Sequence, residues 1–167
     1  MASSSNSSLA LVTSSRINCY DVFVTFRGED TRNNFTDFLF DAFETKGILV
    51  FRDDTILQKG KSIGPELLRA IKGSQVFVAV FSRNYASSTW CLQELEKICE
   101  CIEGSKKHVL PIFYDVDPSE VRKQSGIYYE AFVKHEQRFH QDSQMVSRWR
   151  ETLKLVGSIS GWDLRDK

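Results

Sequence analysis

The chain has 167 residues, and its 22 Lys and Arg balance 22 Asp and Glu, so the formal charge is zero. That length fits one domain, and 41 % hydrophobic residues are enough to build a core, which excludes wholesale disorder. A neutral balance argues against a nucleic-acid binder held by a broad basic face, and the longest apolar runs, Val76–Phe81 and Val109–Tyr114, are far short of the ~20 residues of a spanning helix.

The first fifteen residues are mostly Ser, Asn and small side chains, which bury too little surface to offset the entropy of ordering. Leu9–Val12 is a four-residue apolar patch with no basic region before it, unlike a secretory signal. The expectation is a flexible tail over residues 1–17 and one domain over 18–167.

From Tyr20 onward one rhythm repeats: a β-branched and aromatic run, a loop, a helical period, then a glycine. The runs are Tyr20–Phe26, Ile48–Phe51, Gln75–Phe81 and His108–Tyr114. The last two are nearly continuous apolar stretches, as expected of strands covered on both faces. Phe35, Phe38, Leu39, Ala42 and Phe43 recur at three and four and predict a helix from about Thr31 to Lys46. Leu67, Leu68 and Ile71 mark a second helix, opened by Pro65, and Leu92, Leu95, Ile98, Cys99 and Ile102 a third. Gly47, Gly73 and Gly104 follow these helices, where a left-handed residue is favoured. Strand–helix–strand repetition at this length demands parallel pairing through right-handed crossovers. The fold expected is an open α/β sheet with helices on both faces.

After Tyr114 the rhythm changes. Asp117-Pro118 breaks the chain, and Tyr128, Tyr129, Phe132 and Phe139 predict a helix over roughly 125–139. Met145, Val146, Trp149, Leu153 and Val156 form a last amphipathic stripe, bounded by Gly157 and Gly161. No fifth strand is legible in the period, and Ile159–Leu164 is its candidate.

The four cysteines do not make a disulfide framework, and Cys99 and Cys101 point about 200° apart on a helix, so they cannot share a metal. With His108, His135 and His140 at no ligand spacing, reduced cytosolic thiols and no metal site are expected.

Ligands of open parallel sheets bind outside the carboxyl ends of the strands. The residues at that rim are Arg27 to Asp30, Arg52 to Asp54, Ser82 to Asn84 and Asp115 to Asp117, charged and mixed in sign. Gly60-Lys61-Ser62 resembles the end of a phosphate-binding loop, but the leading glycine is replaced by Thr55. A phosphoacceptor site also fails, because the first strand ends in Arg27 and the third in Ser82. The third helix holds more. Ser88 or Thr89 caps it, and Trp90 and Glu94, four apart, share a face near its first turn. A surface carboxylate there, kept ionised by the helix N-terminus, can stabilise an oxocarbenium-like transition state on a ribose.

These blocks together resemble the plant Toll/interleukin-1-receptor (TIR) domains. The matching residues are Tyr20 to Arg32, Asp53-Asp54 with Leu57, Gly60 and Ile63, Ser82 to Ala86, Trp90 to Leu95, and Pro111 to Pro118. The resemblance runs from Tyr20 to about Trp162 and implies a flavodoxin-like fold, an open parallel five-stranded sheet. It also implies an assembly-dependent NAD⁺ glycohydrolase at the amino terminus of an immune receptor with nucleotide-binding and leucine-rich-repeat modules. On this resemblance Glu94 is catalytic. Phe26, Arg27, Gly28, Glu29, Asp30, Thr31, Arg32, Asp54, Gly60, Lys61, Ile63, Trp90 and Cys91 form the substrate pocket, and the loop from Asp53 to Ile63 rearranges on assembly. NAD⁺ is the substrate and no cofactor is expected. Implied partners are other TIR domains and the rest of the receptor, with neither membrane nor nucleic acid, in the cytoplasm and also the nucleus. Self-association surfaces fall at Asp37 and Phe38 in the first helix and at Trp149, Lys154 and Gly157 in the late helices. Plant members often carry Ser-His where this sequence has Asp37-Phe38. The alternative function is a non-enzymatic homotypic interaction module.

Overall fold

A computed structural model describes residues 19–52 and 63–165. Five strands form one parallel sheet: β1 (Tyr20–Thr25), β2 (Val50–Phe51), β3 (Ser74–Phe81), β4 (His108–Tyr114) and β5 (Trp162–Leu164). Their order is β2-β1-β3-β4-β5, so the chain steps outward from β1 to β2, then crosses back to place β3 on the other side of β1. The carboxyl ends of β1 and β3 therefore form the switch point where such sheets bind ligands.

Alternation along the strands sorts the core into two layers. In β3, Phe77, Ala79 and Phe81 point to one layer, and Val78 and Val80 to the other. In β1, Phe23 joins the first layer while Val22 and Val24 join the second. Helix α1 (Gly28–Thr31) follows β1, and α2 (Phe35–Thr45) covers the second layer through Phe40, with Phe35, Leu39 and Phe43 partly buried. The first layer is covered by α3 (Pro65–Lys72), α4 (Thr89–Ile102), α5 (Pro118–Lys123), α6 (Ile127–Arg138) and α7 (Ser143–Gly157). Helices thus lie on both faces, as the sequence predicts.

Several local expectations need correction. The helix expected over 31–46 is two helices, because Asn34 leaves the helical region and its side chain accepts the Phe35 N–H, starting α2 afresh. Phe38 is not part of the core stripe; it is 77 % exposed, and the buried residues of α2 are Thr36 and Phe40. Asp117-Pro118 does not break the chain but opens α5, with the Asp117 carboxylate accepting the Ser119 N–H at 2.8 Å and Pro118 in the first turn. Gly47 and Gly104 adopt left-handed conformations, whereas Gly73 stays right-handed with φ −83°. The fifth strand falls within the candidate segment. A Cβ on Gly161 would lie 2.1 Å from the Pro111 carbonyl oxygen, so only glycine lets the chain pass this close to β4.

No disulfide joins the four cysteines, and among the described residues no group of His, Cys, Asp and Glu is arranged to hold a metal ion. Burial and the charges of Glu100 and Glu96 push the Cys99 thiol up to about 12, so it stays protonated. No described helix is long and apolar enough to cross a membrane. The tail over 1–17 lies outside the described residues.

Candidate functional site at the strand ends

Period two places Thr25 on the same side of β1 as Phe23, facing α4. Helix α4 begins at Ser88, whose Oγ accepts the Cys91 N–H at 3.2 Å. Counting from Thr89, Glu94 falls in the second turn, on the face that packs against the sheet. It is 2 % exposed, which corrects the expected first-turn surface carboxylate. The apolar stripe read from the sequence contains no carboxylate, so an acid turned inward between Cys91 and Leu95 gives no hydrophobic signal.

Thr25 Oγ1 donates to Glu94 Oε1 at 3.0 Å. The same hydroxyl lies 2.8 Å from the Tyr85 phenol, which reaches the Cys91 carbonyl at 3.1 Å. Tyr85 comes from a single 3-10 turn (Tyr85–Ser87) between β3 and α4. Burial, then the neighbouring Cys91 and Glu94, push the Tyr85 phenol well above its usual 10, so it remains a hydrogen donor. The carboxylate is therefore held from the strand side by a neutral hydroxyl chain.

Beside this cluster, Asp30 ties the two rims of the switch point together. Its carboxylate accepts Ser82 Oγ at 2.5 Å, Asn84 N–H at 3.0 Å and Asn84 Nδ2 at 3.3 Å, and pairs with Arg27 at 3.2 Å. Burial pushes this carboxyl up, but the hydrogen bonds from Ser82 and Asn84 and the Arg27 charge together hold it below its ordinary 3.8. Arg27 also pairs with the exposed Glu29 at 3.1 Å. The Arg32 guanidinium lies 5.0 Å from the centroid of the Phe26 ring, and next to Gly28. From the other side, Tyr128 of α6 donates to the Ser82 carbonyl at 2.7 Å.

The structure brings Arg27, Gly28, Glu29, Asp30 and Arg32 to one rim, and Trp90 sits partly buried one turn before Glu94. Ile63 packs near by, its N–H reaching Gln93 Oε1 at 3.3 Å. Three expected pocket residues are corrected as side chains presented to a ligand. Phe26 lies on the opposite face of the sheet from Glu94, packed against Phe40 beneath α2. Thr31 is buried with its hydroxyl against Thr36, and the buried Cys91 thiol donates to the Phe26 carbonyl at 3.4 Å. Asp54, Gly60 and Lys61 lie outside the described residues.

Of the expected association residues, Asp37, Phe38 and Lys154 are exposed. Trp149 and Gly157 are buried and cannot meet a second copy directly, which corrects their assignment. Trp149 packs edge-on against His135 and Phe139, and a Cβ on Gly157 would lie 3.1 Å from the Arg122 backbone nitrogen. Sequence reading missed the partners Thr25 and Tyr85; the available signal was a hydroxyl in an otherwise apolar strand. It also missed a groove of about 620 Å³ on the outer side of α4, walled by Cys99, Ile102, Arg148, Glu151 and Leu155, which shares no residue with the strand-end cluster.

Against known proteins, residues 19–167 match the family model of the TIR domain. The chain is 50 % identical over 165 residues to "Disease resistance protein RPV1" of Vitis rotundifolia, covering 99 % of this chain and 11 % of that protein. It is 49 % identical over 149 residues to "TMV resistance protein N" of Nicotiana glutinosa, covering 89 % and 13 %. The chain thus spans a small part of the relatives it matches. Among solved structures, the TIR domains of the activated Roq1 resistosome, described as directly recognizing the pathogen effector XopQ, superpose with a TM-score of 0.82 at 55 % identity over 89 % of both chains.

Proposed function

The chain belongs to the TIR domain family, and from that premise we propose that it is a self-association-dependent NAD⁺ glycohydrolase whose products signal in plant disease resistance. The observation that carries the reading is a carboxylate, Glu94, buried at the switch point and held by Thr25. Breaking the nicotinamide–ribose bond builds positive charge on the ribose, and nicotinamide departs neutral. The step needs an anion beside the sugar more than a protonated acid, so one carboxylate suffices. Water then adds to the ribose carbon, giving ADP-ribose and a proton released to solvent. In this reading Arg27, Gly28 and Glu29 at the rim meet the nucleotide's phosphates and hydroxyls, and Trp90 meets the nicotinamide ring.

With Glu94 only 2 % exposed, a ribose reaches it after neighbouring groups shift. That supports cleavage waiting on assembly, with Asp37, Phe38 and Lys154 as exposed contact residues. The assembled protein works as one part of a longer receptor chain, in the cytoplasm and nucleus, and requires no cofactor. The same burial favours a second reading, a non-enzymatic homotypic interaction module. One assay separates them: concentrated protein is incubated with NAD⁺ and nicotinamide is measured. The parent releases nicotinamide, faster per molecule at higher protein concentration, while Glu94→Gln and Glu94→Ala lose on the order of a hundredfold. A folded, assembled Glu94→Ala protein that works at the parent rate, or a parent that releases none, overturns the hydrolase.

A further inference from the structure

We infer that Thr25 is a positioning residue for Glu94: its hydroxyl, itself anchored by Tyr85, aims the carboxylate and favours its ionised form. This rests on Glu94 being the carboxylate of the proposed hydrolase. Donor counting supports the assignment. An ionised carboxylate only accepts, so the single Thr25 proton goes to Glu94 Oε1 at 3.0 Å. Thr25 Oγ1 is then left as an acceptor for the Tyr85 phenol at 2.8 Å, with the Cys91 carbonyl at 3.1 Å as that phenol's second acceptor. The chain Tyr85 to Thr25 to Glu94 thus runs in one direction when Glu94 is ionised. Thr25 and Tyr85 are both fully buried, so water does not compete for these bonds.

The three residues come from three elements, β1, the 3-10 turn and α4. The carboxylate is thereby referenced to the sheet as well as to its own helix, and catalytic geometry is sensitive to displacements of about 1 Å. The other titratable groups gathered around the cluster are Cys91 of α4, Tyr128 of α6, Asp30 of α1 and, beside Tyr128, Glu120 of α5. Both phenols are raised well above 10 and stay neutral near neutral pH, while Asp30 is held below its ordinary 3.8 and stays ionised there.

The test uses the whole chain with Thr25→Val, Thr25→Ser and Tyr85→Phe, and two readouts. One is kcat and KM for nicotinamide release as a function of pH. The other needs no turnover: ¹³C-carboxyl NMR titration of Glu94, its signal assigned by disappearance in Glu94→Gln. Thr25→Val should lower kcat about tenfold with KM nearly unchanged, the effect of losing one hydrogen bond to a charged group. Its acid limb and its carboxyl titration should both move to higher pH. Thr25→Ser should restore both, and Tyr85→Phe should show a smaller effect in the same direction. If Thr25→Val does not fold, Tyr85→Phe and Thr25→Ser carry the comparison, and a Tyr85→Phe protein indistinguishable from the parent in both readouts overturns the inference. So does a folded Thr25→Val that titrates at the parent pH, or a Thr25→Ser as impaired as Thr25→Val. Should the parent release no nicotinamide while the titration still moves, the positioning contact stands and the hydrolase reading alone falls.

Discussion

Two clusters on the same side of the sheet use burial in opposite ways. At the strand ends, Thr25, Ser82 and Glu94 are buried polar groups bound to one another or to neighbours across three elements. In the helical layer, Phe132, Trp149, Leu153 and Val156 make an apolar core that His135 and Gln124 join as buried polar residues. Burying a charged or polar group costs stability unless it is satisfied, whereas burying apolar surface gains it. The first cluster adds little stability, its hydrogen bonds mainly offsetting the cost of burial, whereas the second supplies stability through apolar area. Helix α6 joins them by two bonds, Tyr128 to the Ser82 carbonyl at 2.7 Å and His135 Nε2 to the Ala86 carbonyl at 2.6 Å, one residue from Tyr85.

The contrast breaks first at Trp149. Its ring is fully buried, so Trp149→Ala should cost about 3–5 kcal/mol in chemical denaturation. Its ring N–H is buried with no acceptor among the described residues, so Trp149→Phe should cost much less than Trp149→Ala. Equal losses for the two would mean that the indole, rather than aromatic packing, holds this layer.

Glu94→Gln tests the other side of the comparison. Alongside the loss of cleavage, it should unfold at the parent temperature or above, because a buried charge is replaced by a neutral group of the same size that still accepts from Thr25. A large drop in melting temperature would show that the strand-end cluster stabilises the fold after all.

His135 should make the bridge between the clusters sensitive to pH. Burial, with Arg138 and Arg150 near by, holds its imidazole below the ordinary 6.5 despite the bond to Ala86. As pH falls below 6.5 the unfolded chain takes up a proton that the folded one still refuses, so this residue's stabilisation is complete above 6.5 and is lost on acidification. Denaturation midpoints between pH 7 and 5 should fall less steeply in His135→Gln than in the parent. An unchanged slope would remove His135 as the cause.

The smallest effect on stability is expected at Phe38. As an exposed residue, its replacement by Ser should change stability by about 0.5 kcal/mol or less. The same variant should nevertheless weaken concentration-dependent association in light scattering. An identical association curve would take α2 out of the contact.

Strand and helix spacing, the parallel sheet and the position of Glu94 near the start of a helix were all legible, because each is written in local periodicity or in a cap such as Ser88. The stripe on α2 was read one step off, since Phe38 and Phe40 are equally apolar and only packing against Phe26 selects Phe40. β5 was barely legible because three residues carry too little pattern; pairing with β4 and the close pass of Gly161 define it. Trp149 was placed both on a core stripe and at an interface, and burial chose the core.

By itself the sequence determined the strand–helix alternation as far as β4, the sheet's class and the family, since these depend on hydrophobic period and on short motifs along the chain. Only the tertiary structure decided that Glu94 is buried, that Phe26 lies across the sheet from it, and that Thr25 and Tyr85 hold it. Those contacts join residues 60 and 69 positions apart, where the strand pleat and the helix face must be superposed before donor and acceptor meet.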